Sequence, residues 1–237
     1  MSEWKARRFW TDVTIRQVDS GHEVMLDDRS LRTPGKLPLI LPTAPLAHAI
    51  ADEWRAQGDL IQPLTMPLTR AANSAVERVA PQFEGVVDML AEYGGTDLLC
   101  YRATDPASLA EAQARHWDDL LHWAQADLGA PLRVTQGVIP IDQSPDALAR
   151  MRAALAALDL YGLTAAYDLV TLPGSLVLGL AVLRGRLTAT DAFALSRLDE
   201  EFQAERWGQD DEAQAASEAR RVAMISAERL WTLSRAG

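Results

Sequence analysis

Asp59-Leu60-Ile61-Gln62-Pro63-Leu64-Thr65-Met66-Pro67 is the stretch on which the reading of this chain turns. Pro63 and Pro67 each lack a backbone donor and would clash inside a helix, so the stretch reads as an extended crossing segment. Before it, apolar residues alternate with a period of two; after it, they recur at helical spacing. The change from mixed β to all-α character therefore falls near residues 60–75. The expected fold class is α+β: a small N-terminal antiparallel β-rich domain (residues 1–68, with one covering helix) followed by a larger all-α domain (residues 69–237).

Upstream, Val13 and Ile15 alternate with polar neighbours, Asp19-Ser20-Gly21 makes a turn, and Val24 and Leu26 alternate on the return. Asp27-Asp28-Arg29 offers a second turn. Pro34-Gly35 breaks the chain ahead of the apolar run at 37–41, where Pro38 marks an edge position or a strand start. Such a meander is too small to be stable unless something packs on one face. The next element can do so: Thr43 caps a helix with Pro45 in its first turn, and Leu46, Ala47, Ile50 and Trp54 form a stripe ending before Gly58. Gln57 lies on that stripe.

Downstream, residues 68–79 and 82–93 read as helices separated by Pro81, the second ended by Gly94-Gly95. Residues 96–102 are ambiguous between a short strand and a helical turn. Asp105 is expected to cap a long helix with Pro106 at its first position, running to about Leu128. Its stripe is Trp117, Leu120, Leu121, Ala124 and Leu128, with Gln113 inside it. Residues 132–141 read as a loop or a short hairpin arm, and Ser144-Pro145 opens a helix to about Leu158. Two apolar helices flank Pro173-Gly174, and a loop at 184–188 leads into a helix expected from near Thr190 to Trp207, with Gly208 as a left-handed stop. In that helix Leu195, Leu198 and Phe202 share a core-facing stripe with Asp199 and Arg206 near it. Glu201 and Glu205 form a flanking ridge, although like charges four residues apart cost a few tenths of a kcal/mol. The pattern by itself describes a solvated acidic face ending in a core tryptophan. The last helix is expected over residues 211–235, with a stripe of Val222, Ile225, Leu230 and Leu233 that leaves Met224 and Trp231 on the opposite side.

The 237 residues carry a net charge of −10, which argues against nucleic acid, whose phosphates are held by basic surface. The 48% hydrophobic content is enough for a real core. Lysine occurs only at Lys5 and Lys36. The single cysteine, Cys100, can form no internal disulfide and suits a reducing compartment. No secretory signal is read at the start of the chain. The most apolar stretch, residues 169–183, is broken by Pro173-Gly174 and falls short of the roughly 20 residues of a membrane span, so a soluble protein is expected.

The search for chemistry is largely negative. No Gly-rich phosphate loop, dinucleotide fingerprint or nucleophile elbow occurs. His116 and His122 would point about 120° apart on a helix, and with His22, His48 and one cysteine they make no zinc constellation, so no metal or cofactor is expected. Cys100, among Leu98, Leu99 and Tyr101, reads as an inert buried thiol. Glu201 and Glu205 have no evident pocket that would separate their pKa values, so an acid–base enzyme is not expected. Gln57, Gln113 and Asp199 are polar residues on inward faces, where an unpaired group costs about 1–3 kcal/mol. They pair with one another or with backbone, or they line a wet groove, as in a small-molecule-binding helical protein.

Seven segments in order carry a resemblance: D-D-R-S-L-R-T-P (27–34), L-P-T (41–43), E-W-R-A-Q (53–57), M-P-L-T (66–69), T-D-L-L-C-Y-R (96–102), Q-A-R-H-W-D (113–118) and L-D-E-E-F-Q-A-E-R-W-G (198–208). Together they resemble the assembly-chaperone family of the ATP synthase alpha subunit, found in mitochondria and alphaproteobacteria. The resemblance implies a non-enzymatic, monomeric holder of the unassembled alpha subunit of the F-type catalytic head, which keeps it from aggregating until it meets beta subunits. It implies a β-rich N-terminal domain, a helical C-terminal domain, and a cytoplasmic place for a bacterial member against the mitochondrial matrix for eukaryotic ones. It maps the acidic helix that matters in the family onto Asp199, Glu200, Glu201 and Glu205. On physical grounds Trp207, Met224 and Trp231 are candidates for apolar cover of the client, or equally for interdomain packing. Trp54, Gln57, Gln113, Trp117, Phe202 and Gly208 are then structural.

Overall fold

Val13 lies opposite Leu26 and Ile15 opposite Val24 in an antiparallel hairpin of β1 (Val13–Val18) and β2 (Gly21–Leu26), extended by the short β3 (Arg29–Ser30). The structure is a computed structural model that describes residues 7–207 and 211–236, with the side chains of Glu205 and Trp207 left out. Facing residues of an antiparallel pair share one side, so Val13, Val24 and Leu26 make one apolar surface with Trp10, Leu31, Leu39 and Leu41. The run at 37–41 does not form a strand. It makes single bridges, Leu41 to His22 of β2 and Pro38 to Arg32 beyond β3, because Pro38 has no N–H to extend a ladder.

The covering helix α1 (Ala44–Arg55) buries Leu46, Ala47 and Ile50, and Thr43 caps it by accepting the Leu46 N–H. The E-W-R-A-Q segment at its end ties three parts of the molecule together. Glu53 accepts the Leu68 and Thr69 N–H groups at 2.8 Å each and so caps the next helix from outside. Trp54 packs edge-on against Trp10 with centroids 5.0 Å apart. Arg55 donates to the Val13 carbonyl at 2.6 Å, and Gln57 donates to Thr65 and Glu53 while accepting the Gln62 N–H at 2.7 Å. The crossing segment is thereby held, with one 3-10 turn at Pro63–Thr65.

The helical part begins with α2 (Pro67–Ser74), which passes through a wider turn at Ala75–Val79 and a 3-10 turn at Ala80–Gln82 into α3 (Phe83–Ala91). Residues 96–102 become a 3-10 turn followed by β4 (Tyr101–Arg102). Next comes α4 (Ala107–Leu128), ended by left-handed Gly129 at φ 66°. The expected Asp105 cap is not formed. Pro106 itself takes the extended cap position and Ala107 starts the helix, so Asp105 sits one residue too early to reach the free N–H groups. Then follow β5 (Thr135–Gln136), parallel to β4, and α5 (Pro145–Ala156), α6 (Leu160–Thr171) and α7 (Leu176–Leu183).

The helix expected from Thr190 to Trp207 is two helices, α8 (Ala189–Ser196) and α9 (Leu198–Trp207), broken at Arg197. At the break the Leu195 carbonyl accepts the Trp117 indole N–H at 3.0 Å, a tertiary bond in place of a helical one. The last helix, α10 (Asp211–Arg235), has its expected span and only part of its expected face, since Leu230 is buried and Ile225 and Leu233 pack half-buried on the core. Met224, Ala227, Leu230 and Ser234 are buried, whereas Val222 is 49% exposed. Small Ala227 and Ser234 belong to the packed stripe because α10 lies close along α6. The Trp231 ring occupies the space where a side chain at Gly162 would begin. The buried residues form one connected cluster from Trp10 to Leu230 beneath both the sheet and the helices.

Candidate functional site

The acidic helix α9 is anchored from beneath. Asp199, half-buried, accepts the Gln113 side-chain N–H at 2.6 Å, and Gln113, 1% exposed, accepts the Ala103 N–H at 2.7 Å through its other end. Two inward polar residues read from sequence are thus brought together across 86 positions of chain. Both ends of the Gln113 amide are used, so the polar groups are satisfied within the protein. One helical turn on, Trp117 is 1% exposed and lies under the Arg102 guanidinium, 5.1 Å from its centroid, while Arg102 pairs with Asp118 at 2.7 Å.

With Asp199 turned inward, Glu200 and Glu201 are exposed. Glu200 pairs with Arg197 at 3.0 Å, a surface contact of at most about 1 kcal/mol. Phe202 is half-buried beneath Arg206, whose guanidinium is 4.3 Å from the ring centroid. The Glu205 and Trp207 side chains and all of Gly208 lie outside the described residues. A small cleft of about 200 Å³ runs beside Asp199 and Glu200, walled by Leu98, Leu172, Phe193 and Arg220.

Met224 and Trp231 do not form an apolar outer surface. Met224 is 0% exposed. Trp231 is half-buried, donates its indole N–H to the Leu183 carbonyl at 2.8 Å, and is covered by Arg235 at 4.3 Å. It forms one wall of an open cleft of about 1290 Å³ between the ends of α5, α7 and α10.

A fully buried carboxylate, Asp97, went unread in the sequence. It accepts the Leu99 N–H at 3.0 Å, the Ser175 hydroxyl at 2.7 Å and the Val177 N–H at 2.9 Å, joining the 3-10 turn before β4 to the start of α7. Burial pushes its pKa up to about 6 against the opposing pull of these donors. Its only sequence signal is an aspartate directly before the apolar turn Leu98-Leu99-Cys100, a capping pattern. Cys100 is buried beside it; burial first, and the Asp97 charge second, push the thiol up to about 12, which leaves it unreactive near neutrality. Among the described residues no group of three or more His, Cys, Asp or Glu side chains is placed to hold a metal, and no helix is long and apolar enough to cross a membrane.

The fold is shared with proteins described as chaperones. The family model for ATP12 chaperone protein matches residues 7–125. The crystal structure of Atp12 from Paracoccus denitrificans is 60% identical, covers 98% of this chain and 100% of its own, and superposes with a TM-score of 0.95. A putative chaperone from Agrobacterium tumefaciens is 37% identical over 95% of this chain and 85% of its own, with a TM-score of 0.90. The mitochondrial protein atp12 of Schizosaccharomyces pombe is 26% identical over 221 residues, covering 87% of this chain and 75% of the relative. The chain belongs to the ATP12 chaperone family.

Proposed function

We propose that this protein holds the unassembled alpha subunit of the F-type ATP synthase head, shields it from aggregation and releases it to beta subunits, with no catalytic step, cofactor or nucleic acid involved. It would act as a cytoplasmic monomer in a bacterial cell. The observation that carries this reading is the acidic helix α9 in a member of a chaperone family, held by the Gln113–Asp199 bond so that Glu200 and Glu201 face solvent. A subunit awaiting its partners exposes apolar surface that would self-associate. A charged rim around the holding surface speeds encounter and disfavours wrong partners.

Purified alpha subunit mixed with this protein should remain in solution and co-elute with it. Glu201→Lys, a change at an exposed position, checked to be folded by circular dichroism, should weaken binding several-fold, chiefly through the association rate, and the difference should shrink as salt is raised. Equal light-scattering suppression and co-elution for wild type and variant would remove α9 from the mechanism. Absence of any complex with the alpha subunit would remove the reading itself.

A further inference from the structure

Around and beyond β5, residues 134–141 expose several aliphatic side chains. Val138 is 92% exposed, Ile139 75% and Val134 43%. None of the residues from 134 to 141 (V-T-Q-G-V-I-P-I) carries a charge, in a protein where 24% of residues do. Isolated exposed aliphatics are ordinary, but a contiguous uncharged run of them marks an interaction surface.

The root of the tip is fixed by built contacts. At the base, the buried Gln143 side chain accepts the Arg133 N–H at 2.8 Å and donates to the Arg133 carbonyl at 2.9 Å, closing the loop as a strand partner would. On one flank, Thr135 and Gln136 pair with Tyr101 and Arg102, and Gly137 donates to the Arg102 carbonyl at 2.8 Å. Gly137, at φ 78°, then turns the chain through the left-handed region that a side chain would disfavour. Val138 and Ile139 follow directly on this turn.

The root of this finger is also the root of the acidic helix. The Arg102 carbonyl holds Gly137, the next N–H, of Ala103, is held by Gln113, and Gln113 holds Asp199. One hydrogen-bonded chain therefore fixes an apolar tip and an acidic ridge to the same short strand. We infer that the finger at residues 134–141 is the apolar contact of the client face, inserting Val138 and Ile139 into the exposed apolar interface of the subunit that α9 approaches electrostatically. This rests on the proposed function above, since the occupant is that same unassembled alpha subunit. The division of labour follows from the residues: α9 supplies charge without large exposed aliphatics, and the finger supplies aliphatics without charge.

The test measures the Kd of full-length protein for purified alpha subunit with Val138→Asp/Ile139→Asp, with Val138→Ser/Ile139→Ser, and with Leu64→Asp. Leu64 is a comparably exposed aliphatic at 84% in the crossing segment, outside the finger. Circular dichroism and thermal melting establish that each variant folds; the serine pair serves if the aspartate pair does not. Expected is a Kd weakened about 30-fold or more for the finger variants, from loss of two partly buried aliphatic side chains, with Leu64→Asp unchanged. Finger variants that bind like wild type would overturn the inference and leave the proposed function standing. Failure of the wild type to bind the alpha subunit would overturn both. Sedimentation of the wild type with anionic vesicles, or concentration-dependent self-association, that the finger variants abolish while alpha-subunit binding is unchanged would assign the tip to a membrane or a second copy and overturn the inference.

Discussion

Asp97 has only neutral donors as its hydrogen-bond partners, which is an uncommon setting for a buried carboxylate. Removing it strands donors of the Leu98 turn and of the α7 start, so Asp97→Ala should cost about 1–3 kcal/mol in denaturant unfolding. Its pH dependence has a definite sign. The folded pKa, about 6, lies above the unfolded value of 3.8, so the folded state holds the proton more tightly. The contribution is fully present below about pH 4 and is lost as pH rises toward 6. Asp97→Asn cannot titrate. The stability difference, wild type minus Asp97→Asn, should therefore fall between pH 4 and 6 and be flat above 7; a flat difference throughout would refute the raised pKa. The residue was missed in sequence because a capping aspartate reads alike at the surface and in the interior. Burial is set by α7, packed from 80 positions away.

At the scale of elements, α9 depends on one amide. Gln113→Ala would leave the Ala103 N–H and the Asp199 carboxylate without their partner. It should lower stability by about 1–3 kcal/mol and also weaken the proposed binding of the alpha subunit, with Asp199→Ala adding little in the double variant. Additive losses in that cycle would mean that the two side chains do not act as a unit. Helix existence and length were legible from periodicity and caps: α1 from Thr43, α4 to Gly129, and α10 over Asp211–Arg235. The face of α10 was legible only in part, through Ile225, Leu230 and Leu233. A search for large apolar side chains favours Val222, whereas the packed stripe uses Ala227 and Ser234, whose small size permits the approach to Gly162. The break at Arg197 was equally hidden, since Trp117 takes the Leu195 carbonyl from across the fold.

For the whole molecule, the sheet and the helices share one connected core, bridged by Thr43 donating to the Leu233 carbonyl at 2.6 Å and Tyr161 donating to the Ile40 carbonyl at 3.1 Å. Unfolding should therefore be a single cooperative transition, with far-UV circular dichroism and tryptophan fluorescence coinciding. Trp10 and Trp54 report on the β-rich part, and Trp117, Trp123 and Trp231 on the helical part. Two separated transitions would show that the parts unfold independently.

The sequence by itself determined the α+β class, the meander and its covering helix, the helical remainder and the acidic character of α9, because period-two and helical patterns, prolines and caps are local physics. It also carried the family resemblance, through segments such as E-W-R-A-Q that each make several contacts at once. Only the tertiary structure decided which way side chains face and what they meet: Met224 inward, Trp231 against Gly162, Gln113 on Asp199, and Val138 with Ile139 in water. Those outcomes depend on neighbours far away in the chain. The acidic stretch at 198–208 is thus anchored through Asp199, with Glu200 paired to Arg197 and Glu201 exposed.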